Sequence, residues 1–275
     1  MNNLPFAKMS GCGNDFIVID NRDQRIPRPQ QSRFAEKVCR RRMSVGADGV
    51  ILIERSQQVD FKWRFYNADG SEAEMCGNGA RCAARFACLK DIAPKNLSFE
   101  TISGIISAYV TPEHVRIGMT DPGRLEAGIC VDLEAGALTL DSIDTGVPHA
   151  VACVADAEEI DVVERGREIR HHRRFQPAGT NVNFISRNPD GTIRVRTYER
   201  GVEDETLACG TGAVAAAIVA GIRFPSIETP VRVMTSSGGI LTVLYDKDGS
   251  NYRNVFLQGE ARVVYEGVLW DEALL

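Results

Sequence analysis

The apolar positions of the chain fall mostly in short runs with the length and composition of β-strands. Val, Ile and aromatic residues are frequent in these runs, and turn-forming Gly, Asn, Asp and Pro residues border them. The runs are DFIVID after Asn14, IISAYV from Ile105, AVACV after His149, ILTVLY from Ile240 and ARVVY from Ala261. Strands are therefore expected to outnumber helices.

Two Ala-rich stretches have helical character instead. RCAARFACLK, from Arg81, consists of good helix formers and is followed by Pro94, and Ala213–Ala220 is a similar run. In the first stretch Cys82, Phe86 and Leu89 follow the i, i+4, i+7 spacing of a buried stripe. Many strands together with a few helices predict an α+β fold.

The sequence contains an internal repeat of about half its length. Phe65–Ala84 is FYNADGSEAEMCGNGARCAA, and Thr197–Ala216 is TYERGVEDETLACGTGAVAA. Both contain Cys-Gly-x-Gly-Ala before a helical run, and a Thr-x-Ser-Gly sequence begins 25 residues after the first Cys and 26 after the second. Matches at nearly equal offsets indicate an internal duplication.

The duplication predicts two homologous domains related by a pseudo-two-fold axis. Each is expected to be a mostly antiparallel or mixed sheet wrapped around a central helix. The first would comprise residues 1–122 with a C-terminal strand, about 262–275, that returns to it. The second would comprise residues 123–261, with the joint at the turn formers Asp121-Pro-Gly123.

Composition and charge narrow the function classes. The 275 residues carry 32 basic and 37 acidic side chains, a net charge of −5, which offers no basic surface for nucleic acid or an anionic membrane. The longest apolar run, Ala213–Ile222, is half a membrane span, and Met1–Ser10 lacks the apolar core of a secretion signal. We therefore expect a cytoplasmic protein without nucleic-acid or membrane partners.

The eight Cys residues include no C-x-x-C spacing, so no metal site is predicted. In a cytoplasmic protein they are expected to be reduced, so no disulfide framework is predicted either.

The Cys-Gly-x-Gly-Ala turns can carry chemistry because each Cys comes directly before a helix. Unpaired N–H groups and the positive end of the helix dipole stabilise a thiolate at Cys76 and at Cys209. The N–H groups of Gly77 and Asn78, and of Gly210 and Thr211, can bind a carboxylate. Glycine allows a ligand to approach the turn closely.

Two such thiols suit the inversion of a stereocentre beside a carboxylate. One thiolate removes the α-proton, and the opposite thiol delivers a proton to the other face. Donors directed at the carboxylate stabilise the charge that develops. A single Cys at a helix start is more often a small buried hydrophobe, and the duplication is what favours catalysis. The other six Cys are interpreted as packing residues, although Cys12 lies in a Gly-rich loop.

The chain resembles the diaminopimelate epimerase family over nearly its whole length. The similarity lies in four blocks in the family's order: MSGCGNDFIVID at Met9–Asp20, FYNADGSEAEMCGNGARC at Phe65–Cys82, TNVNF at Thr180–Phe184 and YERGVEDETLACGTGA at Tyr198–Ala213. The resemblance implies interconversion of LL- and meso-2,6-diaminopimelate, for lysine and cell-wall synthesis, without pyridoxal phosphate, metal or other cofactor. It also implies a homodimer.

By the same resemblance Cys76 and Cys209 are the catalytic pair. The matching blocks imply these substrate contacts: Asn14, Asn67, Gly77, Asn78, Asn181, Glu199, Arg200, Gly210 and Thr211. Asn offers donors and acceptors, Glu199 can accept from the distal ammonium, and Arg200 can hold the distal carboxylate. The residues alone favour a turn role for Asn67 and a surface ion pair for Glu199-Arg200.

The sequence departs from the family's usual pattern at three positions. Ser10 stands where His is frequent, Cys12 where Leu is frequent, and Val147 where many members have Asn. His149 does match and is expected to shape the second Cys site. These departures bear on the finer substrate contacts and leave the acid, the base and the carboxylate donors in place.

Three other functions stay open. A proline racemase or hydroxyproline epimerase would share the two-Cys chemistry, but a cyclic amino acid would leave Glu199 and Arg200 without partners. A Cys-dependent hydrolase would use His149 as its base, yet it does not explain a second equivalent Cys. A non-enzymatic anion-binding module would use the two helix N-termini and would keep its binding if both Cys were replaced by Ser.

Overall fold

The structure, a computed structural model, describes residues 3–275 and is of the mixed α+β type that the sequence predicts. In these residues the α-helices are α1 (Arg28–Val38), α2 (Gly77–Leu89), α3 (Val162–His171) and α4 (Gly210–Arg223). None of the helices described there is both long enough and apolar enough to cross a membrane.

Strands make up most of the regular structure in residues 3–275. Those before residue 120 are β1 (Leu4–Gly11), β2 (Asn14–Asp20), β3 (Gly49–Glu54), β4 (Phe61–Asn67), β5 (Asn96–Thr101), β6 (Gly104–Val110) and β7 (Val115–Gly118). The later strands are β8 (Glu126–Leu133), β9 (Gly136–Asp144), β10 (Pro148–Cys153), β11 (Asn181–Arg187), β12 (Ile193–Glu199), β13 (Asp204–Thr206), β14 (Val231–Met234), β15 (Ile240–Asp248), β16 (Asn251–Gly259) and β17 (Arg262–Leu269).

The chain forms two compact units. The first runs up to Ile117 and includes Gly259–Leu275, and the second is Gly118–Gln258. In the first unit the strands pair in the order β17, β1, β2, β3, β4, β5, β6, β7. In the second the order is β8, β9, β10, β11, β12, β14, β15, β16, with β13 as an additional partner of β12.

The two units repeat the same series of pairings. Counted along each order, the third and fifth pairs are parallel and the other five are antiparallel. A parallel pair needs a crossover, and in both units a helix supplies it: α1 or α3 for the first crossover, α2 or α4 for the second. Two unrelated units of eight strands would rarely have the same order of parallel and antiparallel pairs. This repetition therefore supports the predicted pair of homologous domains.

The helix that follows the Cys-Gly turn is central in each unit. Helix α2 contacts β1, β2, β3 and β6, and α4 contacts β9 to β12, β14 and β15. Their Ala side chains are buried on several faces, because a small side chain lets a helix lie close to the surrounding sheet. The predicted stripe on α2 is correct for Cys82 and Phe86 and wrong for Leu89, which is 55% exposed in the last turn.

Helix α2 ends before Pro94 through its own backbone. Asp91 adopts a left-handed φ of 53°, its N–H donates to the carbonyl of Cys88, and the N–H of Ile92 donates to that of Ala87. These two bonds satisfy the last carbonyls in the manner of a Schellman motif. The helix therefore stops about one turn before the proline that the sequence offered as its limit.

The more polar helices α1 and α3 form a further layer on each sheet. Phe34 and Val38 of α1 pack with Ile17 and Ile19 of β2 in the core of the first unit. In the second unit Ile169 of α3 packs in a cluster with buried side chains of β8 to β12. Each sheet is thus held between a central and an outer helix, which fixes the strand ends that lead into the Cys-Gly turns.

Candidate active site

Cys76 is the N-cap residue of α2. Its backbone is extended, with φ −146° and ψ 114°, and its Sγ accepts a hydrogen bond from the N–H of Gly79 at 3.5 Å. The thiol is half-buried. The expectation that this Cys lies directly before a helix N-terminus is confirmed, and the donors of the first turn face the sulfur as a thiolate requires.

Asn78 and Asn14 are joined beside this helix start. The Nδ2 of Asn78 donates to Oδ1 of Asn14 at 2.7 Å, and Nδ2 of Asn14 donates to Oδ2 of Asp48 at 3.1 Å. A Cβ on Gly11 would lie 2.9 Å from the carbonyl oxygen of Asn78, so glycine is required for β1 to approach the helix this closely. Two candidate residues that are 64 positions apart in sequence thus belong to one cluster.

Arg81 is a member of this cluster that the sequence reasoning missed. Its side chain is fully buried, and it donates to Oδ1 of Asn78 at 2.7 Å and to the carbonyl oxygen of Gly77 at 3.2 Å. A buried guanidinium beside a helix N-terminus adds positive potential where an anion would bind. Its position in the Cys-Gly-Asn-Gly-Ala-Arg run is the only local signal that could have indicated it.

Asn67 lies outside this cluster of side chains. It is the exposed last residue of β4, and its Nδ2 donates to Oγ of Ser71 at 3.0 Å within the turn that follows. Its backbone N–H donates to the carbonyl of Ser71 at 2.9 Å. The structure therefore places Asn67 in the turn arrangement that the residues alone favour, and its substrate contact stays a prediction.

Cys209 is the N-cap residue of α4 and repeats the first arrangement. Its Sγ accepts from the N–H of Gly212 at 3.4 Å, and the thiol is again half-buried. Gly212 is necessary, since a Cβ there would lie 2.6 Å from Oδ1 of Asn183. The sequence run expected to form a helix after this Cys does so, from Gly210 to Arg223.

The hydroxyl of Thr211 lies between the second thiol and His149. Oγ1 of Thr211 lies 3.5 Å from Sγ of Cys209 and 3.0 Å from Nε2 of His149. His149 is fully buried, and its burial, assisted by the positive charge of Arg200, lowers the pKa of this His to about 3. The ring is therefore neutral at physiological pH, and the sequence expectation that His149 helps to shape the second Cys site is supported by this contact.

Asn181, Glu199 and Arg200 lie together at the ends of β11 and β12. Oδ1 of Asn181 accepts from the backbone N–H of Arg200 at 2.8 Å, while Nη1 of Arg200 donates to the carbonyl of Ala178 at 3.0 Å. Oε2 of Glu199 accepts from Thr206 at 2.9 Å. Burial raises the pKa of Glu199, and the Thr206 hydrogen bond opposes that rise. The set offers a carboxylate, an amide and a guanidinium within one part of the second unit.

Three of the remaining Cys residues are buried, namely Cys12, Cys39 and Cys82. Burial raises the pKa of Cys12, and raises those of Cys39 and Cys82 to about 12. Such thiols stay protonated and pack as small apolar groups. Cys130 is exposed, so its interpretation as a packing residue is wrong. In residues 3–275 no group of three or more His, Cys, Asp or Glu side chains is arranged to hold a metal ion.

The sequence matches known proteins over nearly all of its length. The family model described as diaminopimelate epimerase matches residues 6–125 and 142–264. The chain belongs to the diaminopimelate epimerase family. It is similar to the diaminopimelate epimerase of Aquifex aeolicus, with 46% identity over 98% of this chain and 99% of that protein. It is also similar to that of Chlorobaculum tepidum, with 44% identity over 95% and 99%.

Several solved structures have the same fold at much lower sequence identity. A phenazine biosynthesis protein of the PhzF family from Bacillus anthracis superimposes with a TM-score of 0.74 at 17% identity, covering 98% of this chain and 100% of that one. A hydroxyproline epimerase from Agrobacterium vitis, solved with bound trans-4-hydroxy-L-proline, gives 0.67 at 17% identity, covering 98% and 91%. At these identities the likeness concerns the fold alone.

Membership of the family confirms the resemblance found in the sequence blocks. The two predicted catalytic residues lie at equivalent places, Cys76 at the start of α2 and Cys209 at the start of α4, and their role stays a prediction. Among the departures from the usual pattern, Ser10 is a half-buried residue of β1 paired with Asp15, and Val147 lies in the turn between β9 and β10.

Proposed function

We propose that this protein is a diaminopimelate epimerase, an isomerase that inverts one α-carbon of LL-2,6-diaminopimelate to give the meso isomer. The observation that carries the proposal is the repeated thiol: in a member of this family, each of the two units has a Cys as the N-cap of its central helix, with Sγ facing a first-turn N–H. Equivalent groups in the two units suit a reaction whose forward and reverse directions are chemically alike.

The proposed reaction is a proton exchange between two thiols and one carbon. The thiolate of one catalytic residue, Cys76 or Cys209, removes the α-proton, and the C–H electron pair passes into the adjacent carboxylate. The other thiol then delivers its proton to the opposite face of the α-carbon, and the two sulfurs have exchanged protonation states. Because the α-hydrogen is a weak acid, the N–H groups of Gly77, Asn78 and Gly210 would stabilise the dianionic carboxylate as it forms.

The distal end of the substrate carries a second ammonium and a second carboxylate. We propose that Glu199 accepts from that ammonium and that Arg200 binds that carboxylate, with Asn181 holding the backbone of Arg200. Asn14, Asn67, Asn78 and Thr211 are the remaining proposed contacts. Their hydrogen bonds to Asp48, Ser71, Arg81 and His149 respectively would pre-organise them.

The proposal is tested by hydrogen exchange at the α-carbon. The protein is incubated with LL-diaminopimelate in deuterium oxide without added cofactor, and proton NMR follows loss of the α-signal and formation of the meso isomer. We expect wild type to do both, and Cys76→Ala and Cys209→Ala each to lose epimerisation. Cys130→Ala, which removes an exposed thiol, is the matched control and should keep full activity.

Two other results would change the conclusion. Inertness with diaminopimelate but exchange of proline or hydroxyproline would keep the two-thiol chemistry and reject the substrate. Exchange of no amino acid, with binding retained after both Cys are replaced by Ser, would favour an anion-binding module instead.

We further infer a duplication, a homodimer and a cytoplasmic site of action. The duplicated halves would be residues 1–122 with 262–275 and residues 123–261.

The dimer is supported by large apolar side chains that are exposed on and beside β17. Val264 in this strand is 59% exposed, and Trp270, which directly follows the strand, is 71% exposed. Sedimentation of wild type and Val264→Lys tests it, with a shift to monomer expected. A reducing compartment is supported by the need for two reduced thiols.

A further inference from the structure

A chain of buried polar side chains leads to the second thiol. It runs from Asn183 on β11 through His149 on β10 to Thr211 in the first turn of α4. Asn183 and His149 are both fully buried. Nδ2 of Asn183 lies 3.0 Å from Nδ1 of His149, and Nε2 of His149 lies 3.0 Å from Oγ1 of Thr211. The direction of these hydrogen bonds determines whether the Thr211 hydroxyl donates a hydrogen bond to Cys209 or accepts one from it.

The orientation of the Asn183 amide is fixed by its two other neighbours. Nδ2 donates to the carbonyl oxygen of Ala150 at 3.2 Å, and Oδ1 accepts from Oγ1 of Thr197 at 2.9 Å. A rotated amide would bring Oδ1 against the Ala150 carbonyl, two acceptors with no proton between them. The NH₂ group therefore faces both Ala150 and His149.

This amide orientation determines the tautomer of His149. A ring nitrogen that faces an NH₂ group must be an acceptor, so Nδ1 carries no proton. The buried ring is neutral, because burial and the Arg200 charge lower the pKa of His149 to about 3. Its single proton is then on Nε2, which donates to Oγ1 of Thr211.

Because Thr211 accepts a hydrogen bond from His149, its hydroxyl is left to donate to the sulfur of Cys209. Its hydroxyl oxygen accepts from His149, and its own proton is left for Sγ of Cys209 at 3.5 Å. The Thr145 hydroxyl donates to the Thr211 carbonyl at 3.0 Å and holds this residue in place. Sγ of Cys209 consequently faces two donors, the Thr211 hydroxyl and the N–H of Gly212, the arrangement that stabilises a thiolate.

We propose that Asn183 is a positioning residue that holds His149 in the Nε2–H tautomer, so that Thr211 donates a hydrogen bond to the sulfur of Cys209. His149 then acts as a fixed donor and does not take the thiol proton. The importance of this chain for turnover rests on the proposed epimerase function, whereas the tautomer and the reactivity of the thiol do not. The first unit has Asn78 at the position of Thr211, held by Asn14 and Arg81, so the device belongs to the second thiol.

The tautomer is measured directly by nitrogen-15 NMR of protein labelled at its four His residues. In wild type we expect His149 to show a protonated Nε2 and a bare Nδ1 between pH 6 and 9. Asn183→Asp replaces the NH₂ donor by an acceptor of the same shape. At a pH where the nitrogen shifts show a neutral ring, the proton should move to Nδ1. Asn188→Asp, the same change in the turn after β11, is the matched control and should leave His149 unaffected.

The thiol is tested by alkylation with iodoacetamide, with Cys209 and Cys76 quantified separately in one sample by peptide mass spectrometry. Thr211→Val removes the last hydroxyl and should slow alkylation of Cys209 at pH 7 about tenfold, a ratio that corresponds to about 1.4 kcal/mol. Asn183→Asp should slow it similarly while the ring is neutral. Cys76 should not be slowed, and at strongly alkaline pH the variants should match wild type, because both thiols are then ionised.

Several outcomes would overturn the proposal. A wild-type His149 with the proton on Nδ1 removes its basis, whatever the variants do. A neutral Asn183→Asp ring that keeps the proton on Nε2 shows that Asn183 does not set the tautomer. Equal alkylation of Cys209 in Thr211→Val and wild type shows that the hydroxyl does not serve the sulfur. None of these measurements uses substrate, so a failure here is distinct from a failure of the epimerase assignment.

Discussion

The guanidinium of Arg81 donates through Nη2 to Oδ1 of Asn78 at 2.7 Å, and both side chains are buried. The same guanidinium donates to the carbonyl oxygens of Gly77 and Glu260 at 3.2 and 3.3 Å. One side chain therefore satisfies three neutral acceptors around the start of α2. It ties the first turn of the helix to the C-terminal segment that carries β17.

Replacing Arg81 should destabilise the first unit. Arg81→Leu would remove this donor from all three acceptors, and each acceptor left buried without another partner costs about 1–3 kcal/mol. Arg81→Lys keeps the charge but cannot reach all three acceptors, so it should fall between wild type and the Leu variant. Urea unfolding measures the free energy of each variant. Arg33→Leu, on the exposed side of α1, should change it by less than about 0.5 kcal/mol.

Glu199 should govern the acid side of the activity profile. Its burial raises its pKa, the hydrogen bond from Thr206 opposes this, and an ionised carboxylate is needed to accept from the substrate ammonium. Thr206→Val removes the opposing bond, so the pKa of Glu199 rises further. The acid limb of kcat/KM should then move to higher pH. Thr206→Ser keeps a hydroxyl and should restore the wild-type limb, and an unmoved limb in the Val variant would exclude this role for Glu199.

Much of the architecture could be predicted because it has local signatures. DFIVID is β2, IISAYV lies in β6, and both helices that follow a Cys-Gly turn begin where the sequence indicates. The polar helices α1 and α3 are not among the predicted elements. Their apolar residues are few, and the hydrophobic cores that stabilise them are formed with strands distant in sequence.

The candidate thiols and the part of His149 in the second Cys site could be predicted from the sequence, whereas most of the supporting hydrogen bonds could not. The duplicated turn predicts Cys76 and Cys209 as the candidate pair, and it aligns Asn78 with Thr211. It cannot indicate that the first is held by Asn14, 64 positions away, and the second by His149, 62 positions away. Contacts of this kind depend on how strands pair, so a buried residue such as Arg81 has no local pattern that reveals its partners.

Gly166 is predicted to be indispensable where α3 crosses β12. A Cβ at this position would lie 2.3 Å from Cβ and 2.6 Å from Cγ of Tyr198, whose side chain is fully buried. Gly166→Ala gains helix propensity of about 1 kcal/mol, but an overpacked core contact typically costs about 1–3 kcal/mol, and two contacts this short should outweigh the gain. Thermal unfolding should show a lower midpoint. Gly123→Ala meets Asp144 at an ordinary 3.5 Å and should be nearly neutral.

His149 should make the protein sensitive to mild acid. Its pKa is about 3 in the folded protein and 6.5 for an unperturbed His, so between these values the unfolded chain binds a proton that the folded one does not. Above pH 6.5 the free energy of unfolding does not depend on this ring. Below pH 6.5 it falls by about 1.4 kcal/mol per pH unit, because unfolding allows the ring to bind a proton. Asp15 and Glu205, whose pKa values are lowered from 3.8 and 4.5, lose their contributions at still lower pH. Burial raises the pKa of Glu199, which adds a slope of opposite sign to wild type and variants alike. The difference between wild type and a His149 variant from pH 5 to 6.5 therefore isolates the His term. Urea unfolding across that window should give a steep slope for wild type and for His114→Asn, which changes an exposed His, and a shallow one for His149→Asn. Equal slopes in all three proteins would mean that the buried ring takes up its proton without unfolding, and His149 would then have to carry a charge beside Thr211.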